Sequence, residues 1–340
     1  MTSMKGKWLF VWAFVACIMI GTVFSASAEP IKLTYSCFFP PSHVQSILAE
    51  QWCREIEKRT NNAVKIDYFP GQTLTKANQC YDGVVEGMSD IGFSVLAYTP
   101  GRFPVMLAVD LPMGYTSGVA ATKVINEVYE HFKPKELNDT QVMYLHAHGP
   151  GLVFTKSKPV LKMEDMSGLK FRSHGTSAEV VKALGGTPVA KPMPETYEML
   201  QKGVVDGAVY PLESNKGWKL GEVVRYCTAN FSSAYTTSFF VVMNKDKWKS
   251  LPPNVQQVIQ TVNAEWIPKH GDAWDNSDMI GLKYLLDQGG QIFGQDSKEA
   301  ARWKAAVTPI IDAYAKELTA KGINGKEVVD FIAAALKKYQ

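Results

Sequence analysis

The chain has 340 residues, 46% of them hydrophobic, and a formal net charge of +3, which is enough apolar material for two domains that each bury a core. The charge includes Lys5 and Lys7 at the start, so the remainder is close to neutral and lacks the electrostatic footprint of a nucleic-acid binder. Past the first 28 residues no apolar run is long enough to span a bilayer as a helix, which predicts a soluble product.

Residues 1–28 read as a secretory signal peptide. Lys5 and Lys7 precede an almost unbroken apolar run from Trp8 to Phe24, and Ala26-Ser27-Ala28 supplies the small residues a signal peptidase needs before Glu29. The expectation is cleavage after Ala28 and export to the periplasm. A retained membrane helix calls for a longer run, and lipidation at Cys17 for a better lead-in than Phe14-Val15-Ala16.

Ile31, Leu33, Tyr35 and Cys37 then alternate with Lys32, Thr34 and Ser36, the pattern of a half-buried strand. Pro40-Pro41-Ser42 breaks the chain. Val44, Ile47, Leu48, Trp52 and Ile56 follow at helical spacing up to Thr60-Asn61-Asn62. A strand over 64–68 turns at Pro70-Gly71, a helix through Tyr81, Val84 and Val85 ends at Gly87, and 90–96 is a buried strand. After a further strand at 141–146, Gly149-Pro150-Gly151 marks the crossover into a second unit. There, strands at 169–172, 188–190 and 206–210 alternate with helices at 177–184 and 195–202. The Thr-, Phe- and Val-rich run 236–243 reads as a strand returning to the first unit, and helices over 253–288, 298–321 and 325–338 close the chain. Short strands alternating with amphipathic helices predict an α/β architecture.

Signatures of catalysis are missing: the chain has no GxGxxG, Walker loop, GxSxG, HExxH or EF-hand loop. His146-Ala147-His148 puts two imidazoles on one side of a strand, a spacing that can supply two zinc ligands. A third ligand from His43, His131, His174, His270 or a carboxylate is not brought near by anything in the sequence. Ser36 and Cys37 lack an identifiable base. A metal-dependent hydrolase using His146 and His148 is therefore the distant alternative, and no metal or cofactor is expected. Cys37, Cys53, Cys80 and Cys227 follow the leader without CxxC spacing, and four cysteines leave three full pairings open.

An ordered series of short motifs carries a family resemblance. It begins with Pro159-Val160 and continues through Glu164-Asp165-Met166-Ser167-Gly168-Leu169-Lys170-Phe171-Arg172 and Ala183-Leu184-Gly185-Gly186-Thr187-Pro188. It runs on through Glu195-Thr196-Tyr197-Glu198-Met199-Leu200 to Val205-Asp206-Gly207, and ends at Glu222-Val223-Val224-Arg225-Tyr226. Thr60-Asn61 and Gly87-Met88-Ser89-Asp90-Ile91-Gly92 extend the likeness upstream. The chain resembles the dicarboxylate-type substrate-binding subunit of tripartite ATP-independent periplasmic (TRAP) transporters over essentially its whole length after the leader.

The resemblance implies a two-lobed periplasmic binding protein, monomeric and not an enzyme, that captures a small organic acid and delivers it to the membrane permease. A sensor ligand carrier for a membrane receptor is the same fold in another role. Lobe one would be 29–150 plus about 236–280, and lobe two 151–235 plus about 281–340. Family members anchor the ligand carboxylate on the Arg that ends the Gly-Leu-Lys strand, here Arg172; a planar guanidinium matches both carboxylate oxygens. Two departures bear on the ligand. Residues His148 to Thr155 lack the second Arg of dicarboxylate and sialic-acid binders, and Tyr210 stands where the family often has Asn before Pro-Leu. Both favour a monocarboxylate with an aromatic body, such as an indole or phenyl acid or 2-oxo acid, over an aliphatic mono- or dicarboxylate. Expected walls are Phe38, Phe39, Tyr98, His148, Met193 and Tyr210. Relatives with aromatic-rich pockets also imply a Cys53–Cys80 disulfide.

Overall fold

The computed structural model describes residues 29–340; the expected signal peptide, its cleavage after Ala28, and Cys17 lie outside those residues. β1 (Ile31–Cys37) buries Leu33, Tyr35 and Cys37, as its period of two requires. α1 (Val44–Arg59) is capped by His43, whose Nδ1 accepts from the Gln45 N–H at 3.2 Å. It stops where Asn61 and Asn62 adopt left-handed backbone, a conformation asparagine tolerates better than most residues. β2 (Val64–Phe69), α2 (Cys80–Val85) and β3 (Ile91–Val95) follow, both strands pairing parallel to β1. α3 (Gly118–Phe132), capped by the Ser117 hydroxyl, leads to β4 (Thr140–Ala147).

The chain then crosses over. β5 (Leu152–Thr155), β6 (Lys170–Ser173), α4 (Gly175–Ala183) and β7 (Thr187–Ala190) open a second sheet. α5 (Thr196–Gln201), β8 (Gly207–Tyr210), the one-turn α6 (Ser214–Gly217) and β9 (Tyr226–Ala229) continue it. β10 (Ser238–Asn244) goes back to the first sheet, between β3 and β4 and antiparallel to both. α7 (Lys245–Ser250) precedes the 35-residue α8 (Pro253–Asp287); β11 (Gln291–Gly294), α9 (Ser297–Ala320) and α10 (Gly325–Tyr339) end the chain. The sheets run β2-β1-β3-β10-β4 and β11-β9-β5-β8-β6-β7, giving a two-lobed α/β protein.

The two backbone crossovers travel side by side. Gly151 N–H donates to the Tyr235 carbonyl at 2.8 Å, and His148 N–H to that of Thr237 at 3.3 Å. α8 is the third connection, packing on α1, α3 and β4 of the first lobe and on α6 of the second. The helices after residue 281 divide between the lobes rather than all joining the second, as expected from the resemblance. α9 buries Trp303 and Val307 in the second lobe's core, whereas Val328, Ile332 and Leu336 of α10 pack with α3 residues Val124, Ile125 and Val128 in the first. No helix among the described residues is long and apolar enough to cross a membrane.

The expected disulfide is absent: Cys37, Cys53, Cys80 and Cys227 are all free and buried. Cys53 belongs to the core that holds Leu33, Tyr35, Phe239 and Val241, and Cys80 to the one that holds Tyr81, Phe240 and Val242. Alternate residues of β10 thus belong to different cores, so the first sheet stands between the two cysteines. The strand order explains it. β1 lies between β2 and β3, so the right-handed β1-α1-β2 and β2-α2-β3 crossovers run in opposite directions across the sheet and put α1 and α2 on opposite faces. The Cys53 thiol donates to the Ala49 carbonyl at 3.2 Å instead.

Candidate functional site

Strand ends from both lobes converge on one cavity. β1 runs into Phe38 and Phe39, and β3 into the turn ending at Tyr98; β6 carries Arg172 and β8 ends at Tyr210. His148 comes from the crossover after β4, and Met193 from the turn before α5. All seven line the cavity, at the strand ends where α/β sheets hold ligands. The cavity is small, with a volume of ≈ 30 Å³, and forms a narrow slot.

Arg172 is 1% exposed. Its Nε–H donates to the Lys191 carbonyl at 2.9 Å, which fixes the plane of the guanidinium. The terminal nitrogens have weaker partners, the Met193 sulfur and the Tyr98 hydroxyl, each at 3.5 Å. Among the described residues no carboxylate lies within 4.0 Å of it, although the half-buried Arg102 and Arg302 are paired that way. A buried cation without a counter-anion is costly, so this guanidinium is set up to take an anion. The Tyr98 hydroxyl also accepts from the Met193 N–H at 2.8 Å, tying the first lobe to the second across the slot. Tyr235 and His174 stand near Arg172, and neither the Tyr235 hydroxyl nor His174 Nδ1 has a protein partner.

The remaining walls are aromatic. Phe38 stacks between Trp218 at 6.0 Å and Phe239 at 6.4 Å, and Phe239 in turn stacks on Trp274 at 5.1 Å. Tyr210 lies flat on Phe154, 4.0 Å between centroids and 4° between planes. Its hydroxyl donates to Asn215 Oδ1 at 3.3 Å.

Sequence reasoning named His174 only as a possible third metal ligand and did not single out Glu213, Trp218, Tyr235, Phe239 or Trp274, and all six line the slot. Only Trp218 had a local signal, a large aromatic ring set among Lys216, Gly217 and Lys219. His146, by contrast, lies under the slot. It accepts from Trp274 Nε1 at 3.0 Å through Nδ1 and stacks on His270 at 4.3 Å, while His148 Nδ1 engages the Gly149 carbonyl. Among the described residues no group of three or more His, Cys, Asp or Glu side chains is placed to hold a metal ion.

Burial controls the protonation of the slot. It pushes His148 down to about 4 and His174 well below the usual histidine range, and raises the Tyr98, Tyr210 and Tyr235 hydroxyls. A histidine with a lowered native pKa stays neutral until the pH falls to that value. Between pH 5.5 and 8 these groups therefore keep one state, and the affinity for a carboxylate ligand is expected to change by less than about twofold, roughly 0.4 kcal/mol. Calorimetry across that range checks it; a midpoint near 6.5 would mean that a cleft imidazole ionises.

The model of the family "Bacterial extracellular solute-binding protein, family 7" matches residues 35–317. A TRAP periplasmic solute-binding protein from Bordetella bronchiseptica, solved with bound (R)- and (S)-mandelate, is 30% identical with a TM-score of 0.85, covering 92% of this chain and 100% of that one. A marine metagenome TRAP solute-binding protein specific for aromatic acid ligands, solved with metahydroxyphenylacetate, is 29% identical with a TM-score of 0.86, covering 91% and 99%. The C4-dicarboxylate-binding periplasmic protein DctP of Rhodobacter capsulatus is 25% identical over 88% of this chain and 90% of its own length.

Proposed function

The chain belongs to the family-7 bacterial extracellular solute-binding proteins, the periplasmic substrate-binding subunits of TRAP transporters, and from that premise we propose that it captures an aromatic monocarboxylate. The family binds small organic acids for a membrane transporter and is not enzymatic. The observation that carries the ligand class is the charge of the slot. Arg172 is the one Lys or Arg among its lining residues, and the other charge-bearing side chain there is the acidic Glu213. One carboxylate has a partner in Arg172; a second would meet an acidic group and no cation, and its unpaired burial would be costly. Phe38, Phe39, Tyr98 and Tyr210 supply flat walls, with Met193 and His148 beside them. Ring contacts there would add about 0.5–1.5 kcal/mol each beyond area burial.

In this reading Arg172 anchors the carboxylate and the lobes close about the crossovers at 148–151 and 234–237. Closure is a population shift, driven only by how much better the ligand binds the closed form. The mandelate and metahydroxyphenylacetate of the two structural neighbours support the ring; the dicarboxylate of the Rhodobacter relative supports only the acid. A short aliphatic acid is the second reading, favoured by the small volume of the slot.

A thermal-shift screen of matched acids tests the proposal. Phenyl, indole and 2-oxo aromatic acids are expected to raise the melting temperature by several degrees. A ligand at about 100 times its Kd stabilises by about 2.7 kcal/mol. If succinate or malate stabilises and the aromatic acids do nothing, the aromatic reading falls.

A further inference from the structure

Glu213 is an unusual wall for an anion-binding slot. It follows β8 at the start of α6, is 3% exposed and shares the cavity with Arg172, yet the two do not form an ion pair. Its carboxylate accepts from the Ser214 hydroxyl. Its other oxygen lies 3.0 Å from His43 Nε2, but the alignment is too poor for a hydrogen bond, and that nitrogen finds no other partner. A carboxylate has about four lone-pair sites, so most of its accepting capacity is unused.

His148 adds a second acceptor. Its Nδ1 is taken up by the Gly149 carbonyl, so the hydrogen is on Nδ1 and Nε2 is a lone pair. The ring senses both charges in the slot, Glu213 raising and Arg172 lowering its proton affinity. The slot thus holds donors, the Arg172 guanidinium and the unpartnered Tyr235 hydroxyl, together with two acceptors, the Glu213 carboxylate and His148 Nε2. Gly217 makes the acceptor side possible: a Cβ there would meet Glu213 Oε2 at 2.6 Å and His43 Nε2 at 2.7 Å.

We propose that Glu213 and His148 form a polar subsite, out of ion-pair reach of Arg172, that accepts a hydrogen bond from a hydroxyl or N–H on the ring of the bound acid. The inference rests on the aromatic-monocarboxylate reading and narrows it: the preferred ligand is a hydroxylated or N–H-bearing aromatic acid, not a bare phenyl acid. A site with buried acceptors rejects an analogue lacking the donor, because those acceptors lose their water and gain nothing.

Calorimetry on the full chain with phenylacetate, 3-hydroxyphenylacetate, 4-hydroxyphenylacetate and indole-3-acetate tests this. At least one donor-bearing acid is expected to bind tenfold or more tighter than phenylacetate, and Glu213→Met, which removes the acceptor, to cut that preference to less than threefold. If phenylacetate binds as tightly as all three, the aromatic reading survives and the subsite falls. A preference that persists undiminished in Glu213→Met also overturns it. If none of the four binds, the aromatic reading fails and takes the subsite with it. Should the variant not fold, the comparison of ligands on the unmodified protein decides alone.

Discussion

Arg172→Ala is expected to abolish ligand binding, at a cost of about 3–5 kcal/mol, or roughly two to three and a half powers of ten in Kd. The guanidinium is 1% exposed and held flat by the Lys191 carbonyl, and its terminal nitrogens have only long contacts at 3.5 Å to Met193 and Tyr98. Removing it leaves a buried carboxylate with no cation among the residues that line the slot. Arg172→Lys is expected to fail nearly as badly, since an ammonium cannot reproduce the two-pronged fork. The ligand-free variant should be no less stable than the parent, because a desolvated charge without a counter-anion is itself unfavourable. Calorimetry and thermal melts check both parts. Binding of the alanine variant within about twofold of the parent, ~0.4 kcal/mol, would show that Arg172 is not the anchor.

Gly281→Ala is expected to destabilise the protein by about 3 kcal/mol or more and to weaken ligand binding with it. Helix propensity alone predicts the opposite sign, since alanine is better than glycine inside a helix by about 1 kcal/mol. The difference is a close approach. A Cβ at Gly281 of α8 would lie 2.0 Å from the Leu212 carbonyl oxygen and 2.7 Å from Glu213 Cα. Both are main-chain atoms, so no rotamer relieves the clash and the segment after β8 must move. That segment carries Pro211, Glu213 and Ser214 of the slot wall. Urea unfolding gives the sign, and calorimetry reads the second effect. A stabilised variant would mean that α8 and the 211–214 segment are not in contact in solution.

Much of the first lobe was legible because its strands alternate cleanly and its helices carry strong stops. The alternation from Ile31 to Cys37 is a strand, and Asn61 and Asn62 do end α1. Nothing was assigned over 97–140, although Ser117 caps α3 there and Val124, Ile125 and Val128 share its buried face. β5, β9 and β11 were not assigned; four residues are too few for a period to show, and the equally short β6, β7 and β8 stood out because helices separate them. Arg172 was visible only through the ordered motifs around it, since an Arg alternating with Leu169 and Phe171 reads by itself as a solvated strand residue. Trp274 and Glu213 were out of reach for another reason. They enter the slot from the middle of a 35-residue helix and from a one-turn helix, positions set by tertiary contacts. The proposed disulfide failed on topology: consecutive helices in sequence are not neighbours when the strand order reverses between them.

The four free thiols of the described residues amount to a pair of built-in stopwatches. Cys37, Cys53 and Cys80 are sealed on the two faces of the first sheet, and Cys227 in β9 of the second. Burial holds all of them above the ordinary thiol range, Cys37 and Cys80 at about 12, so they are sluggish nucleophiles as long as their cores stay shut. A pulse of alkylating reagent, read by peptide mass, then times how often each sheet opens. Because Cys227 reports on one lobe and the other three on its neighbour, the same pulse tells whether the halves breathe together or separately, with no label added to the protein.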